Sequence, residues 1–322
     1  MNTRVSFYTI GCRSNQAETA VLQQSFTEQG YQVVDFNQPA EVVVVNTCTV
    51  TENSDADTRK LINKIIRIHP KARIALLGCQ AQIEQDTLLG MPNVYWVVGN
   101  SRKMEFARIL QNSLNDYQPQ VITPAIPRES FTHPAAGIDR QHTRANLKIQ
   151  DGCDFFCSFC IIPYARGRAR SRVFGDILME AGQLAVAGHR EIVLTGINIG
   201  CYFYDNKSLL DVITALENVE GIDRIRISSI EPSTIPFELI NRMRNGSKLC
   251  RHLHIPLQSG SDEILESMHR RYSVKEYADF IFTVHDQLPE ICLGTDVIVG
   301  FPGETDSNFE ATCEFLTDLP LA

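Results

Sequence analysis

Ten cysteines occur among 322 residues, and six of them stand where thiolates can hold iron. The tightest set is Cys153-Asp154-Phe155-Phe156-Cys157-Ser158-Phe159-Cys160, three thiols in one loop with three and then two residues between them. Such a loop can wrap one corner of a cubane cluster. A [4Fe–4S] cluster normally takes four cysteines, so three leave one iron open to bind and activate a small molecule. A zinc site or plain buried thiols are the alternatives. Zinc would want a fourth His or Cys nearby, and the next histidine is His189.

These thiols must be positioned by the elements around them. Residues 1–115 alternate strand and helix patterns. Val5–Ile10 is a short apolar run ending at Gly11, followed by a helix from Asn15 to Gln29 with Gly30 as its C′ residue. The block Val42–Val45 reads as a parallel strand buried on both faces. Asp55–Ile68 has helical spacing and stops before Pro70, and Ile74–Leu77 is another buried strand. This βαβ order calls for a parallel sheet with covering helices. Cys12, Cys48 and Cys79 each follow one of these strands. Side chains at the C-terminal ends of adjacent parallel strands converge on one crevice. A free cysteine is often only a small buried apolar residue, but three in equivalent positions point to a second cluster with an open iron.

Between about Asp116 and Arg144 the periodicity disappears, and Pro119, Pro124, Pro127 and Pro134 mark an interdomain linker over 116–144. A second βα series then runs over 145–322. Its strands are expected at Asn146–Gln150, Glu191–Thr195, Arg224–Ser228, His252–Leu257 and Thr295–Val299. Helices are expected around Glu180–Ala187, Leu209–Leu216, Phe237–Met243, Asp262–Met268, Tyr277–Val284 and Asn308–Leu316. The fold class is therefore α/β, an N-terminal parallel sheet followed by a partial βα barrel of five strands. The first triad would sit at the C-terminal face of that barrel, where such folds keep their chemistry.

Composition restricts the setting. The hydrophobic fraction of 43% suits ordinary cores, and no run of ~18 apolar residues suggests a membrane span. Met1-Asn2-Thr3-Arg4-Val5 leads straight into a strand and lacks a signal peptide's apolar region, so the cytoplasm is the expected location. In a reducing compartment ten cysteines are better read as metal-binding or catalytic than as disulfides. A net charge of −8 argues against a wholly nucleic-acid-binding surface, yet Arg166, Arg168, Arg170 and Arg172 form a local basic run. Guanidinium pairs well with phosphate, which makes these four candidates for holding nucleic-acid phosphates. Contacts to a cofactor or to the first domain, or a plain solvated face, are the alternatives.

The Cys153–Cys160 motif, with Phe159 before its last cysteine, resembles the radical S-adenosylmethionine (SAM) superfamily. The whole pattern is similar to the radical SAM methylthiotransferases. Gly11-Cys12-Arg13-Ser14-Asn15-Gln16, Asn46-Thr47-Cys48-Thr49-Val50-Thr51 and Leu77-Gly78-Cys79-Gln80-Ala81 match the family's motifs, as does Ile161-Ile162-Pro163-Tyr164-Ala165-Arg166-Gly167. The resemblance implies two 4Fe–4S clusters, an auxiliary one on Cys12, Cys48 and Cys79 and a radical SAM one on Cys153, Cys157 and Cys160. It implies that the open iron of the latter chelates SAM, whose reductive cleavage releases a 5′-deoxyadenosyl radical, while the auxiliary cluster carries the sulfur that is methylated and transferred. It assigns SAM contacts to Phe159, Thr195, Gly196, Ser228, Glu231, Val299 and Gly300, and a substrate role to Gln258. Cys201, Cys250, Cys292 and Cys313 match no motif and are read as incidental.

The implied partners are the anticodon loop of a tRNA and an electron donor such as flavodoxin or ferredoxin. Family branches act on N6-threonylcarbamoyladenosine 37 of tRNA, on N6-isopentenyladenosine 37, or on a ribosomal-protein aspartate. The residues at 46–51, 160–167 and 253–261 look most like the threonylcarbamoyl branch. A non-catalytic iron–sulfur or zinc scaffold is the reading from a different class. Family members continue with a sixth barrel strand and a C-terminal RNA-binding β-barrel, neither of which follows Leu321-Ala322. The expectation is that this chain alone binds tRNA weakly and turns over poorly.

Overall fold

The computed structural model describes residues 3–49, 53–113, 118–138 and 142–322. Val50 and Thr51 of the second motif lie outside the described residues, as do parts of the 116–144 stretch.

The N-terminal unit is a six-stranded parallel sheet of β1 (Arg4–Thr9), β2 (Gln32–Val34), β3 (Val42–Thr47), β4 (Arg73–Gly78), β5 (Val94–Val98) and β6 (Gln120–Ile122). The strands lie in the order β2-β1-β3-β4-β5-β6. The valine block occupies β3 near the middle and is fully buried because both faces are covered. Val42 and Val44 meet α1 (Arg13–Glu28) and α5 (Phe106–Ser113) through Leu22, Phe26, Phe106 and Leu110. Val43 and Val45 meet α2 (Asn53–Ile68), α3 (Cys79–Ile83) and α4 (Gln85–Leu89) through Leu61, Ile62, Ile65, Ala81 and Leu88.

The second unit is an arc of five parallel strands, β7 (Arg144–Lys148), β10 (Glu191–Thr195), β13 (Arg224–Ile227), β14 (His252–His254) and β15 (Cys292–Gly294). Single parallel bridges, Ile225 to Leu249 and Ser229 to His254, join its two ladders. Between these strands, β8 (Gln150–Asp151) pairs with β9 (Arg170–Ser171) at the base of the cysteine loop, and β11 (Phe203–Tyr204) pairs with β12 (Lys207–Ser208). Helix α6 (Ile162–Arg166) follows the cysteine loop. Helices α7 (Phe174–Val186), α8 (Leu209–Glu217), α9 (Phe237–Arg244), α10 (Asp262–Ser267), α11 (Val274–Gln287) and α12 (Asp306–Asp318) complete the unit. The strands alternate with period two. Ala145, Leu147, Ile192, Leu194, Ile225, Ile227, Leu253 and Leu293 face one continuous apolar core, which includes residues of α7, α8, α9 and α11. Their neighbours face the lumen of the arc, which α1 of the first unit overlies.

Three expectations change, the first being that the fourth strand ends at His254 rather than Leu257. The fifth strand is Cys292–Gly294 rather than Thr295–Val299, because pairing with His252–His254 fixes the register three residues earlier. Thr295 then turns its hydroxyl back to Ile255 O at 2.9 Å, and only Val297 bridges again, to Gln258. The 116–144 stretch is also no free tether. Gln120–Ile122 adds β6 to the first sheet, and Phe131 bridges Arg172 in the second unit. Downstream, His133 N and Gly137 N donate to Asp176 and Glu180 of α7 at 3.0 and 2.5 Å. Without helical or strand periodicity, the stretch is held by these local partners.

Candidate active site

Cys12, Cys48 and Cys79 stand at the ends of the adjacent strands β1, β3 and β4. In register Thr47 pairs with Gly78, so Cys48 and Cys79 leave the sheet side by side. Gly11 explains how Cys48 comes close to the first strand. A Cβ at Gly11, which has φ +116°, would lie 2.7 Å from the Cys48 Cβ and 3.0 Å from its Sγ, so only glycine fits. Cys12 is the N-cap of α1 and is exposed, and Cys79 opens α3 and is buried. Two buried amides attend the sulfurs. Asn15 Oδ1 lies 3.7 Å from Cys12 Sγ, and Asn100 Nδ2 lies 3.6 Å from Cys79 Sγ.

The second triad lies on the loop between β8 and α6. Gly152 sets its start, with φ +71° and the Arg168 carbonyl oxygen 2.0 Å from where a Cβ would be. Gln150, fully buried, accepts the amides of Ile197 and Asn198 at 2.9 and 2.8 Å and thereby ties this loop to the end of β10. Burial pushes the Cys153 thiol up to about 11 and raises that of Cys160, so loading metal must displace protons. Among the described residues no three His, Cys, Asp or Glu side chains close tightly around a single metal ion. A cubane makes a different demand, since each thiolate binds its own iron and the three sulfurs stand farther apart. Three cysteines on one loop, with backbone amides and a guanidinium beside their sulfurs, fit that group.

That guanidinium belongs to Arg270, which sequence reasoning missed. Its Nη1 lies 3.2 Å from Cys157 Sγ, and its Nη2 donates to Glu231 Oε1 at 2.6 Å and to the Tyr272 hydroxyl at 2.9 Å. Burial raises the Glu231 carboxyl above its ordinary value, and the close ion pair with Arg270 offsets only part of that rise. Arg271 stacks over Phe155 at 4.2 Å, and Ser158 Oγ donates to Ser267 O at 2.8 Å. The segment after α10 thus clamps the cysteine loop, and the pair of arginines following a helix was its only sequence signal. Cys201, read as incidental, lies close enough to Cys153 for its charge to act there.

The other expected contacts gather around the same mouth. Thr195 and Ser228 are buried at adjacent strand ends, and the Gly196 carbonyl oxygen lies 3.4 Å from Ser14 Oγ of the first unit. Val299 and Gly300 lie on an exposed loop that reaches the cysteines through Phe301, whose ring meets Phe159 edge-on at 6.4 Å. Gln258 has φ +74°, and its amide donates to Asp296 O at 2.9 Å.

The arginine run needs correction. Arg166 is fully buried and Arg172 is 1% exposed, so neither can meet a phosphate. Arg172 is bound by Asp176 and Glu180 and holds α7. Arg166 joins the two units. Its Nη1 donates to Glu18 Oε1 of α1 at 2.8 Å and to Asp151 Oδ1 at 3.1 Å, and its Nη2 to Asn15 Oδ1 at 2.5 Å. Lys103 and Lys148 each reach Glu18 at 2.5 Å, and Asn100 donates to Ala165 O at 2.6 Å. Arg170 is drawn into the same network through Asp151 at 3.1 Å, which leaves Arg168, half exposed and paired with Asp154, as the accessible member. Burial works to raise the Glu18 carboxyl, yet Arg166, Lys103 and Lys148 hold it well below the usual range. Burial draws Lys103 down to about 8 in spite of Glu18. The residues that attend Cys12 and Cys79 are thus bonded to α6, two residues beyond Cys160.

Fold and site together define a partial βα-barrel protein with a three-cysteine loop at its mouth, coupled to a second cysteine-bearing α/β unit. Residues 147–316 match the radical SAM superfamily, and residues 4–99 match a group described as "Uncharacterized protein family UPF0004". The chain is 42% identical, over 98% of its length and 70% of the relative's, to a threonylcarbamoyladenosine tRNA methylthiotransferase MtaB of Bacillus subtilis. It is 39% identical, over 99% of its length and 78% of the relative's, to the protein of the same name in Aquifex aeolicus. A tRNA-2-methylthio-N(6)-dimethylallyladenosine synthase of Dehalococcoides mccartyi is 33% identical over 97% of this chain and 71% of its own. Among solved structures, the radical SAM methyltransferase TsrM of Kitasatospora setae superposes with a TM-score of 0.71 at 16% identity, covering 98% of this chain and 71% of that one, a likeness of fold. The chain belongs to the radical SAM superfamily and, within it, to the methylthiotransferases.

Proposed function

We propose that this chain is a tRNA methylthiotransferase that converts N6-threonylcarbamoyladenosine at position 37, in the anticodon loop, to its 2-methylthio derivative, using two 4Fe–4S clusters and SAM. The observation that carries the reading is the link between the two cysteine-bearing units: Asn15, beside Cys12, accepts from Arg166, and Asn100, beside Cys79, donates to Ala165, both on the helix that follows Cys160. Insertion of a methylthio group into a C–H bond requires a sulfur site and a radical site at a fixed separation. When bound, the clusters and SAM supply one-electron sulfonium cleavage and a transferable sulfur.

In this reading Cys12, Cys48 and Cys79 hold the auxiliary cluster, and Cys153, Cys157 and Cys160 the radical one. Phe159, Thr195, Gly196, Ser228, Glu231, Val299 and Gly300 form the SAM cleft. Glu231, held in place by Arg270, offers its carboxyl to hydroxyls there. Gln258 faces substrate, and Arg168 is the one member of the arginine run exposed enough to meet a tRNA phosphate. A small reduced carrier such as flavodoxin or ferredoxin supplies the electron. The first domain extends through β6 and the second begins at β7, with 131–138 strapped to the second. The 34–42% identity to proteins named for the threonylcarbamoyl substrate favours that base.

Mass spectrometry of tRNA nucleosides from cells with and without the gene tests the substrate. Loss of the 2-methylthio-threonylcarbamoyl nucleoside is expected, and loss of the isopentenyl form instead would overturn it. About eight irons per reconstituted chain and release of 5′-deoxyadenosine on reduction are expected of the two-cluster enzyme.

A further inference from the structure

The lumen of the barrel arc contains charged groups that the chemistry above does not use. Ile225, Ile227 and Leu253 are fully buried on the outer, core side. With period-two alternation, Arg226, His252 and His254 then turn inward, toward α1. Most of them are already engaged. His254 Nε2 lies 3.0 Å from Asp296, and Glu191 is shared by Arg144, Arg224 and Arg226 at 3.1, 2.8 and 3.0 Å.

Two groups retain unused donors. Arg226 contacts Glu191 through Nε, and no partner among the described residues takes its two terminal nitrogens. The Nδ1 of His252 is buried and, among the described residues, has no hydrogen-bond partner beyond its own backbone. A buried polar atom without a full partner is costly, so a ligand acceptor that completes the bond is favoured. Arg13 completes the set. It directly follows Cys12, it is exposed, and with Arg226 and His254 its charge adds to burial in pushing the His252 imidazole down. The three guanidinium groups of Arg144, Arg224 and Arg226 meet the single carboxylate of Glu191, which leaves a surplus of positive charge.

We propose that Arg226, His252 and Arg13 form a carboxylate-binding subsite that receives the acid group of the substrate's N6 substituent. A guanidinium with both terminal nitrogens free can take a carboxylate in bidentate fashion, and His252, as the Nδ1–H tautomer, adds a third donor. A threonylcarbamoyl group ends in a carboxylate and a hydroxyl, whereas an isopentenyl group is a hydrocarbon with no acceptor. A site built to bond a polar group rejects the analogue that lacks it far more strongly than an apolar pocket rejects an extra group. Because Arg13 adjoins Cys12, a substituent held there keeps its base beside the auxiliary cysteines. The inference rests on the methylthiotransferase reading and names how this chain selects its base.

The test is equilibrium binding of free nucleosides to the full chain. N6-threonylcarbamoyladenosine should bind at least about tenfold tighter than its methyl ester, which differs only in the charge of the acid; tenfold corresponds to about 1.4 kcal/mol. Arg226→Gln should bring that ratio close to one, and Arg226→Lys should restore part of it. Should Arg226→Gln unfold because Glu191 loses a partner, His252→Phe leaves those pairs intact and should narrow the same ratio. Equal binding of acid and ester by the parent chain, no binding of the acid, or a ratio unmoved by both the Arg226 and the His252 changes would overturn the subsite. Preferential binding of N6-isopentenyladenosine would instead sink the threonylcarbamoyl reading on which the subsite rests.

Discussion

At the scale of single residues, type and spacing reveal a ligand but not its neighbours. The six cysteines proposed to hold clusters stand out because three cysteines in one short loop, and three more each just beyond a strand, have few structural reasons to recur. The arginines are not, because a sequence displays a charge and hides its partner. Arg166 and Arg172 read as a phosphate-binding surface, yet each is buried against acids, Glu18 of the first unit and Asp151 in one case and Asp176 and Glu180 of the helix that follows in the other. Arg270 shows the reverse error, an inconspicuous arginine whose guanidinium meets Cys157 Sγ. Positive charge and hydrogen bonds at a cluster sulfur favour the reduced state. Arg270→Gln should therefore retain the cluster iron and shift its midpoint potential downward, read by redox titration in a Cys12→Ala/Cys48→Ala/Cys79→Ala background that carries only the radical-site cluster. An unchanged potential would reduce Arg270 to a structural clamp. Cys201 allows a companion test. If it is not a fourth ligand, Cys201→Ala keeps the iron that Cys153→Ala loses.

At the scale of elements, hydrophobic periodicity located the central strands and most helices. It failed where a strand is defined by pairing alone. β6 and β15 are three residues long, too short for a pattern, and only the neighbouring strand sets their ends. The strap over 131–138 failed for a related reason, because it is held by one bridge at Phe131 and by side chains of α7. The contact of α1 with the barrel is likewise invisible in sequence, since a buried Glu18 looks like any helical glutamate. Glu18 is the shared acceptor for Lys103, Lys148 and Arg166, all at most 3% exposed. Removing one partner of a buried ionic network leaves uncompensated charge and typically costs about 3–5 kcal/mol. Glu18→Gln should lower unfolding stability by that order in denaturant titration; a loss below about 1 kcal/mol would mean that the units dock without it. Gly11→Ala should act more locally. The added methyl meets Cys48 in a backbone conformation that alanine disfavours, so the first triad should lose its iron while the second keeps four.

At the scale of the whole molecule, the buried acids between and beneath the two units make integrity a function of pH. Glu18, Asp151 and Glu180 are all held below their ordinary values, Glu180 to about 2, because the cations and hydrogen bonds around them outweigh the burial that would raise them. A depressed carboxyl contributes stability that is complete above its unfolded value, near 4.5 for Glu180, and is lost as pH falls through the folded value. The two-and-a-half-unit interval for Glu180 corresponds to about 3 kcal/mol. Lys103 acts at the other end of the scale. Its folded value of about 8 lies below the ordinary 10.5, so its protonated form carries a penalty at low and neutral pH that is relieved between 8 and 10.5. Stability should therefore fall on acidification from about pH 4.5 toward 2 and gain modestly on the alkaline side. The measurement is chemical denaturation across pH, set beside Glu180→Gln, which should flatten part of the acid limb. A variant whose acid limb matched the parent's would show that the strap and α7 do not carry this dependence. Protonation of Glu18 and Asp151, the acids that hold Arg166 of α6 against α1, would then loosen the contact between the two units.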